Sequence, residues 1–441
     1  MFSSYKNSYL QLVCAVNPRL LNKAVDYALR KPYSDSHDAL PPAQRLESMQ
    51  PSLYAPHVDI SRAKIGFGVT GLRVLVRQLH SEDHLVQLQA LHSVLDEVQI
   101  TEHAMVLINL HIAYRLINLM LNPDPVIKEK ICMILTHLAS YYQGRKQIMS
   151  RPIIIENLMW LMMRERKEIR YAAAYTLRNL ARDRCACEIL MENEKIVDNL
   201  LKTIKNDHKG IILLHLKTLT NLAEWDPVIP LKSNAFRIML VLFDDFDPRI
   251  VAGAMDCMTQ LCKHDVGKIL ADENDLVFKL KKYLTSKHIE IIISAVCLLN
   301  YTTLTTRSKW RAKECCYELT RLLVNLCHVP NLPPLQINAM HVLINLCDCP
   351  DVRYHLKKYW ENKIKAIRIR TDEQWDGTSE TTSYGFETGH NYRTMCIEGV
   401  ETIKNDGGND LECLNVSSYL RRVCEVKEKL IRAINWKCYK D

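Results

Sequence analysis

AAYTLRNLA at residues 173–181 and HLKTLTNLA at residues 215–223 are one phrase written twice: an apolar helix carrying a leucine, a polar residue two positions on, then a second leucine and a small residue. The phrase returns as ICMILTHLA from Ile131, AMDCMTQLC from Ala254, AVCLLNYTT from Ala295 and AMHVLINLC from Ala339, with a weaker ALHSVLDEV from Ala90. Its anchors are Leu95, Leu135, Leu177, Leu219, Met258, Leu299 and Leu343, and successive anchors lie 39 to 44 residues apart. Between them each unit supplies a second amphipathic helix, such as IAYRLINLML or KIVDNLLKTI, and a short polar tip: HSEDH, NPDP, RERKE, KNDHK, DDFDP, TSKH and NLPP. Pro and Asp at those tips stop one helix and start the next.

A period near 42 residues is that of armadillo and HEAT units and too long for tetratricopeptide or ankyrin units. One such unit cannot bury both faces of its long helix, so neighbours must stack. The expected fold is all-α: an armadillo/HEAT-type right-handed α-solenoid of about seven to eight repeats, its third helices lining one surface. Composition agrees, because 48% hydrophobic residues with only 13 glycines and 7 phenylalanines suit helices better than sheets.

The array is expected over 57–370. Before it, residues 1–56 hold six of the sixteen prolines and one plausible helix, Arg19 to Arg30, and read as a partly disordered extension. After it, residues 371–412 carry ten acidic residues against Arg393 and Lys404, and six of the thirteen glycines, which reads as an acidic, glycine-rich, disordered insertion. Residues 413–441 resume a basic amphipathic pattern, SSYLRRVCEVKEKLIRAINWK, with Val423, Val426, Leu430, Ile434 and Trp436 on one face, and are expected to close an eighth repeat. The cations flanking the insertion, Lys357, Lys358, Arg368, Arg421, Arg422 and Arg432, form a candidate basic interaction end for acidic segments.

No leader-like apolar run opens the sequence and no stretch approaches the roughly 18 apolar residues of a membrane span, so a soluble cytoplasmic protein is expected. Sixteen cysteines sit mostly inside apolar helical stretches, as Cys132, Cys257, Cys297 and Cys347 do, and read as reduced thiols. A net charge of +8 from 58 basic and 50 acidic residues is too mild for a nucleic-acid binder.

No phosphate loop, dinucleotide fingerprint, GxSxG or HExxH is present, so no enzyme, cofactor, metal or small-molecule substrate is expected. His80 and His84, four apart, resemble half of a metal site, but no further ligand pair is recognisable and they read as an exposed polar turn. The candidate binding residues occupy the slot two past the anchor: His137, Asn179, Asn221, Gln260 and Asn345. An amide there could pair with the backbone of an extended peptide, or it could bond the backbone of the neighbouring repeat. The residues four before the asparagines are Tyr175, Lys217 and His341 rather than tryptophan, which disfavours a receptor for nuclear-localisation signals.

Two stretches carry a more specific likeness. DISRAKIGFG from Asp59 to Gly68, running into GLRVLVRQLHSED from Gly71 to Asp83, together with the closing IRAINWK from Ile431 to Lys437, resembles the radial spoke head 14 homologue family, also called rhabdoid tumour deletion region protein. The GRKQI turn at Gly144 fits the same pattern. This resemblance implies a structural component of the axonemal radial spoke in cilium or flagellum, serving ciliary or sperm motility, with other spoke proteins as partners. The alternative is a soluble armadillo adaptor that binds extended peptide tails.

Overall fold

The computed structural model describes Ala63 and residues 68–193, 195–368 and 416–436. These belong to the larger of two compact units, Arg62–Asp441. The helix expected over Arg19–Arg30, the extension 1–56 and the acidic insertion 371–412 lie outside the described residues.

The quoted phrases become seven long helices: His84–Glu97, Pro125–Ser140, Lys167–Leu180, Lys209–Trp225, Pro248–Leu261, Ile289–Thr302 and Pro333–Leu346. Each packs on the next in sequence order, and Val416–Asn435 packs on the last of them. All seven anchors are buried; Leu95, at 7% exposure, is the least covered. Among the described residues there is no strand.

The tips start helices by capping. The Asp83, Asp124 and Asp247 carboxylates accept the backbone N–H of Leu85, Val126 and Arg249 at 2.9, 2.8 and 3.0 Å. Pro125 and Pro248 follow their caps at the first helical positions, where a missing N–H costs nothing.

Each long helix is preceded by a shorter second helix, and in the repeats from residue 101 onward that helix is preceded by a first. Lys195–Asn206 buries Ile196, Val197, Leu200, Leu201 and Ile204 on one side, as its amphipathic pattern requires. The stretch IAYRLINLML is not one helix: Ile112–Leu116 is α-helical and Ile117–Leu119 tightens into a 3-10 turn. The preceding residue, His111, is left-handed at φ 56°, and Asn234 and Asp275 take the same conformation at φ 60° and 49° before their own second helices.

The next repeat holds two of these turns. Gln147, twelve residues past its anchor, donates through Nε2 to Ile108 O at 2.8 Å and lies 3.1 Å from His111 Nδ1. Arg311, also twelve past its anchor, forks onto Asp275 at 2.9 and 3.1 Å. Both side chains tie a first-to-second-helix corner to the repeat that follows.

In five of the seven repeats the slot nine past the anchor holds a small buried residue: Ala104, Gly144, Ala186, Gly267 and Ser308. There the first helix passes over the end of the long helix before it. A Cβ on Gly144 would sit 2.0 Å from Leu138 O, and one on Gly267 2.0 Å from Leu261 O. Glycine is required at both for close approach.

At the C-terminal end the basic helix begins at Pro350 and stops at Lys365, earlier at both ends than the run from Lys357 to Arg370 suggests. Pro350 supplies the start, and 366–368 leave the helix. Val416–Asn435 lies against it as well as against Pro333–Leu346. Val423, Val426, Leu430 and Ile434 are buried as the pattern requires, but Trp436 is not with them. It lies just past the helix end, 56% exposed, under the Arg353 guanidinium at 4.7 Å. Lys427 Nζ donates to Ile367 O at 2.9 Å, fastening this helix to the end of the preceding segment.

Candidate protein-binding surfaces

The long helices are covered on both flanks by their neighbours, so only a narrow line of each meets solvent. On Lys167–Leu180 that line is Tyr171, Tyr175 and Arg178; on Lys209–Trp225 it is Leu213, Lys217, Asn221 and Glu224; on Pro248–Leu261 it includes Gly253 and Asp256. These positions recur every three to four residues, one helical face per repeat. Side by side they form a stripe with aromatic rings at one end and mixed charges in the middle. Tyr171 stacks on Tyr175 with centroids 6.3 Å apart, and Arg178 lies over the Tyr175 ring at 5.4 Å.

Lys217 and Asp256 face each other across two repeats. Burial pushes the Lys217 ammonium down to about 8, against the pull of Asp256. Burial raises the Asp256 carboxyl, and Lys217 opposes that rise. An uncompensated charge at either position would be costly, so each stabilises the charged form of the other.

The amide slot lies at the edge of this stripe. Asn179 is 4% exposed, and its Nδ2 donates to Thr136 O of the preceding repeat at 3.2 Å. Asn345 Nδ2 donates to Asn300 O at 3.0 Å and to Thr303 Oγ1 at 3.2 Å. Asn221 and His137 are half-buried, and burial lowers the His137 pKa. Gln260 is fully buried with neither amide atom hydrogen-bonded. The slot thus faces the seam between repeats at Asn179 and Asn345, while the stripe is carried by Tyr171, Tyr175, Arg178, Leu213, Lys217 and Glu224. Four of these, Tyr171, Arg178, Leu213 and Glu224, were not singled out from sequence. Their signal is the offset from the anchor, six before, one after and five after, on the same helical face as Tyr175 and Lys217 two before it.

A buried polar seam runs beside the stripe. Thr136 Oγ1 and Thr176 Oγ1 lie 2.8 Å apart, and Thr176 also donates to Cys132 O at 3.1 Å. Further along, His215 is fully buried with both ring nitrogens unpartnered, and burial lowers its pKa to about 4. Salt bridges span successive units: Lys128 to Glu165 at 2.6 Å, Arg170 to Asp207 at 2.7 Å and Lys309 to Asp348 at 2.6 Å.

At the basic end, Lys357 and Lys358 are exposed on Pro350–Lys365, and Arg368 is exposed just beyond it. Arg421 and Arg432 are exposed on the closing helix but pair within it, with Glu425 at 3.7 Å and Glu428 at 3.0 Å; Arg422 is half-buried.

His84 Nε2 pairs with Asp124 at 3.1 Å, across to the next repeat's cap. Among the described residues no group of three His, Cys, Asp or Glu side chains could hold a metal ion, and no helix is long and apolar enough to cross a membrane. The described cysteines are free thiols, and burial raises Cys132 and Cys257 to about 12, far from a reactive thiolate.

No family model matches the chain, and no curated protein matches it. Solved structures do. An engineered protein aligns with TM-score 0.62 at 17% identity, covering 81% of this chain and 89% of that one. A designed armadillo repeat protein aligns over 52% of this chain and 99% of its own, with TM-score 0.48 and 16% identity, and another, solved with the peptide (KR)4, over the same shares with TM-score 0.49 and 17% identity. The fold is an armadillo-type solenoid. Identities this low speak to the fold alone.

Proposed function

We infer that this chain is a non-enzymatic protein-binding scaffold. The observation that carries the inference is the stripe from Tyr171 to Asp256: a continuous line of rings, charges and amides across successive repeats, suited to a partner's surface or an extended segment. It offers neither a nucleophile paired with a base nor a metal cage. The array over 57–370, closed by 413–441, is the scaffold's body in this reading.

The scaffold's place, on this proposal, is the axonemal radial spoke of cilium or flagellum, with other spoke proteins as partners. The support is the sequence likeness at Asp59–Gly68 and Ile431–Lys437. The test is retention: the tagged protein in ciliated or sperm cells should stay with detergent-extracted axonemes and co-purify with spoke proteins. A diffuse, wholly extractable protein overturns the spoke assignment.

A second reading is favoured by the stripe itself. An adaptor for extended peptide tails would use Tyr175 and Lys217 as contacts, and replacing both with Ala would lower tail binding while helicity holds. Binding unchanged by those substitutions removes the adaptor reading.

A further inference from the structure

The outer face near the C-terminal end carries a cluster of a different kind. Tyr317, on helix Cys316–Cys327, is 70% exposed; Tyr354 and Tyr359, on Pro350–Lys365, are 66% and 53% exposed. They are joined rather than scattered. Tyr317 meets His355 edge-on at 4.3 Å and Tyr359 at 6.1 Å, and His355 lies 4.9 Å from Tyr359. The Lys358 ammonium sits over both Tyr354 and Tyr359, at 5.8 and 5.3 Å. The Trp360 indole N–H, 3.4 Å from His355 Nε2, donates to it and holds the buried ring on which the exposed ones lean.

Exposed aromatics that are contiguous and already held in place are the composition of an interaction centre, not of an ordinary surface. The charge around them is one-sided. Pro350–Lys365 carries Arg353, Lys357, Lys358, Lys363 and Lys365 against Asp351 and Glu361 alone, and both acids are engaged, by Lys313 and Lys365. Among the described residues neither Lys357 nor Lys358 forms a salt bridge, although Lys357 adds to the field that lowers the Glu361 pKa.

We propose that Tyr317, Tyr354 and Tyr359, with Lys357 and Lys358, form a docking site for an acidic segment of a partner protein that carries aromatic side chains. The rings bury the partner's aromatic residue and the lysines pair with the carboxylates beside it. A single-stranded nucleic acid is the poorer fit. Tyr317 and Tyr359 are tilted 48° to one another and 65° and 46° against His355, and leave no parallel slot for a base between them. This site rests on the reading of the chain as a protein-binding scaffold and adds the chemistry of one partner.

The test uses the full chain and three labelled probes, read by fluorescence anisotropy: a synthetic Glu-Glu-Phe repeat peptide, its Lys-Lys-Phe counterpart and oligouridylate. The acidic peptide should bind at least tenfold tighter than either of the others and weaken as salt rises. Tyr354→Ser with Tyr359→Ser should lower its affinity at least tenfold with circular dichroism unchanged. Should that variant lose helicity, Lys357→Glu with Lys358→Glu, both side chains exposed and away from the core, should give the same loss. Equal binding of the acidic and basic peptides, tighter binding of oligouridylate, or either folded variant binding as the parent overturns the proposal. Axonemal retention is scored separately, so a failure here leaves the spoke reading to its own test.

Discussion

His215 offers the sharpest test of how the long helices are packed. It lies inside Lys209–Trp225, fully buried, with no partner for either ring nitrogen, and burial holds its pKa at about 4 against an ordinary 6.5. The folded state therefore binds fewer protons than the unfolded one between those two values. The stability this group allows is fully present above pH 6.5, falls as pH drops towards 4, and levels off below. From the two pKa values, lowering the pH from 7 to 4.5 removes about 2.5 kcal/mol through this residue alone. His215→Leu removes the titration and two unsatisfied buried atoms while keeping an apolar side chain of similar size, so at pH 7 it should be neutral or stabilising by about 1 kcal/mol. The assay is urea unfolding followed by circular dichroism for both proteins at pH 7 and 4.5. Carboxylates and other histidines contribute equally to both, so the difference of differences isolates His215. The variant should lose about 2.5 kcal/mol less than the parent over that interval. Parallel losses would show that the ring is not held neutral and that the helix interface is open to water there.

Four further outcomes follow from the same packing. Gly267→Ala and Gly144→Ala each drive a Cβ to 2.0 Å from a backbone carbonyl, so each should cost about 3 kcal/mol or more, seen as a lowered melting temperature. Arg170→Ala leaves the Asp207 carboxylate, 6% exposed in its side chain, without its forked partner, and should cost about 3 kcal/mol in urea unfolding. Asn179→Ala removes the bond to Thr136 O and should cost about 1 kcal/mol whether or not any peptide is bound. Asn234→Gly relaxes a left-handed residue at φ 60° and should raise stability by about 0.5 kcal/mol, measured by thermal melting.

The repeat was legible because its anchors are buried in every unit, and burial writes itself as a period. Leu135, Leu177 and Leu219 needed no structure to be found. The stripe was harder to see. At about 100° per residue, the position two past the anchor lies about 60° from the middle of the exposed line. Asn179 therefore turns into the seam while Arg178, its neighbour, faces out. Amide chemistry could suit either side, and only the placement of the flanking helices decides. The second helices hid their corners for a related reason: His111, Asn234 and Asp275 are ordinary polar residues in sequence, and their left-handed backbone is set by the packing of the helices on either side. Trp436 does not belong to the apolar face even on a longer helix, since at about 100° per residue it falls more than about 120° from the middle of the line of Val423, Val426, Leu430 and Ile434. The aromatic cluster at Tyr317, Tyr354 and Tyr359 spans two helices from different repeats, a juxtaposition no single stretch of sequence contains.

A stack in which each long helix packs on the next has no intrinsic end, since the last one offers its successor the same kind of flank. Val416–Asn435 breaks that rule. Its buried side is apolar, but Arg421, Glu425, Glu428, Lys429 and Arg432 are exposed, with Arg421–Glu425 and Glu428–Arg432 paired along the helix. A second molecule arriving at that exposed side would have to strip water from the ladder and would gain little hydrophobic contact in return. A side of this kind works against the stacking of one molecule on another, where a bare apolar flank would invite it.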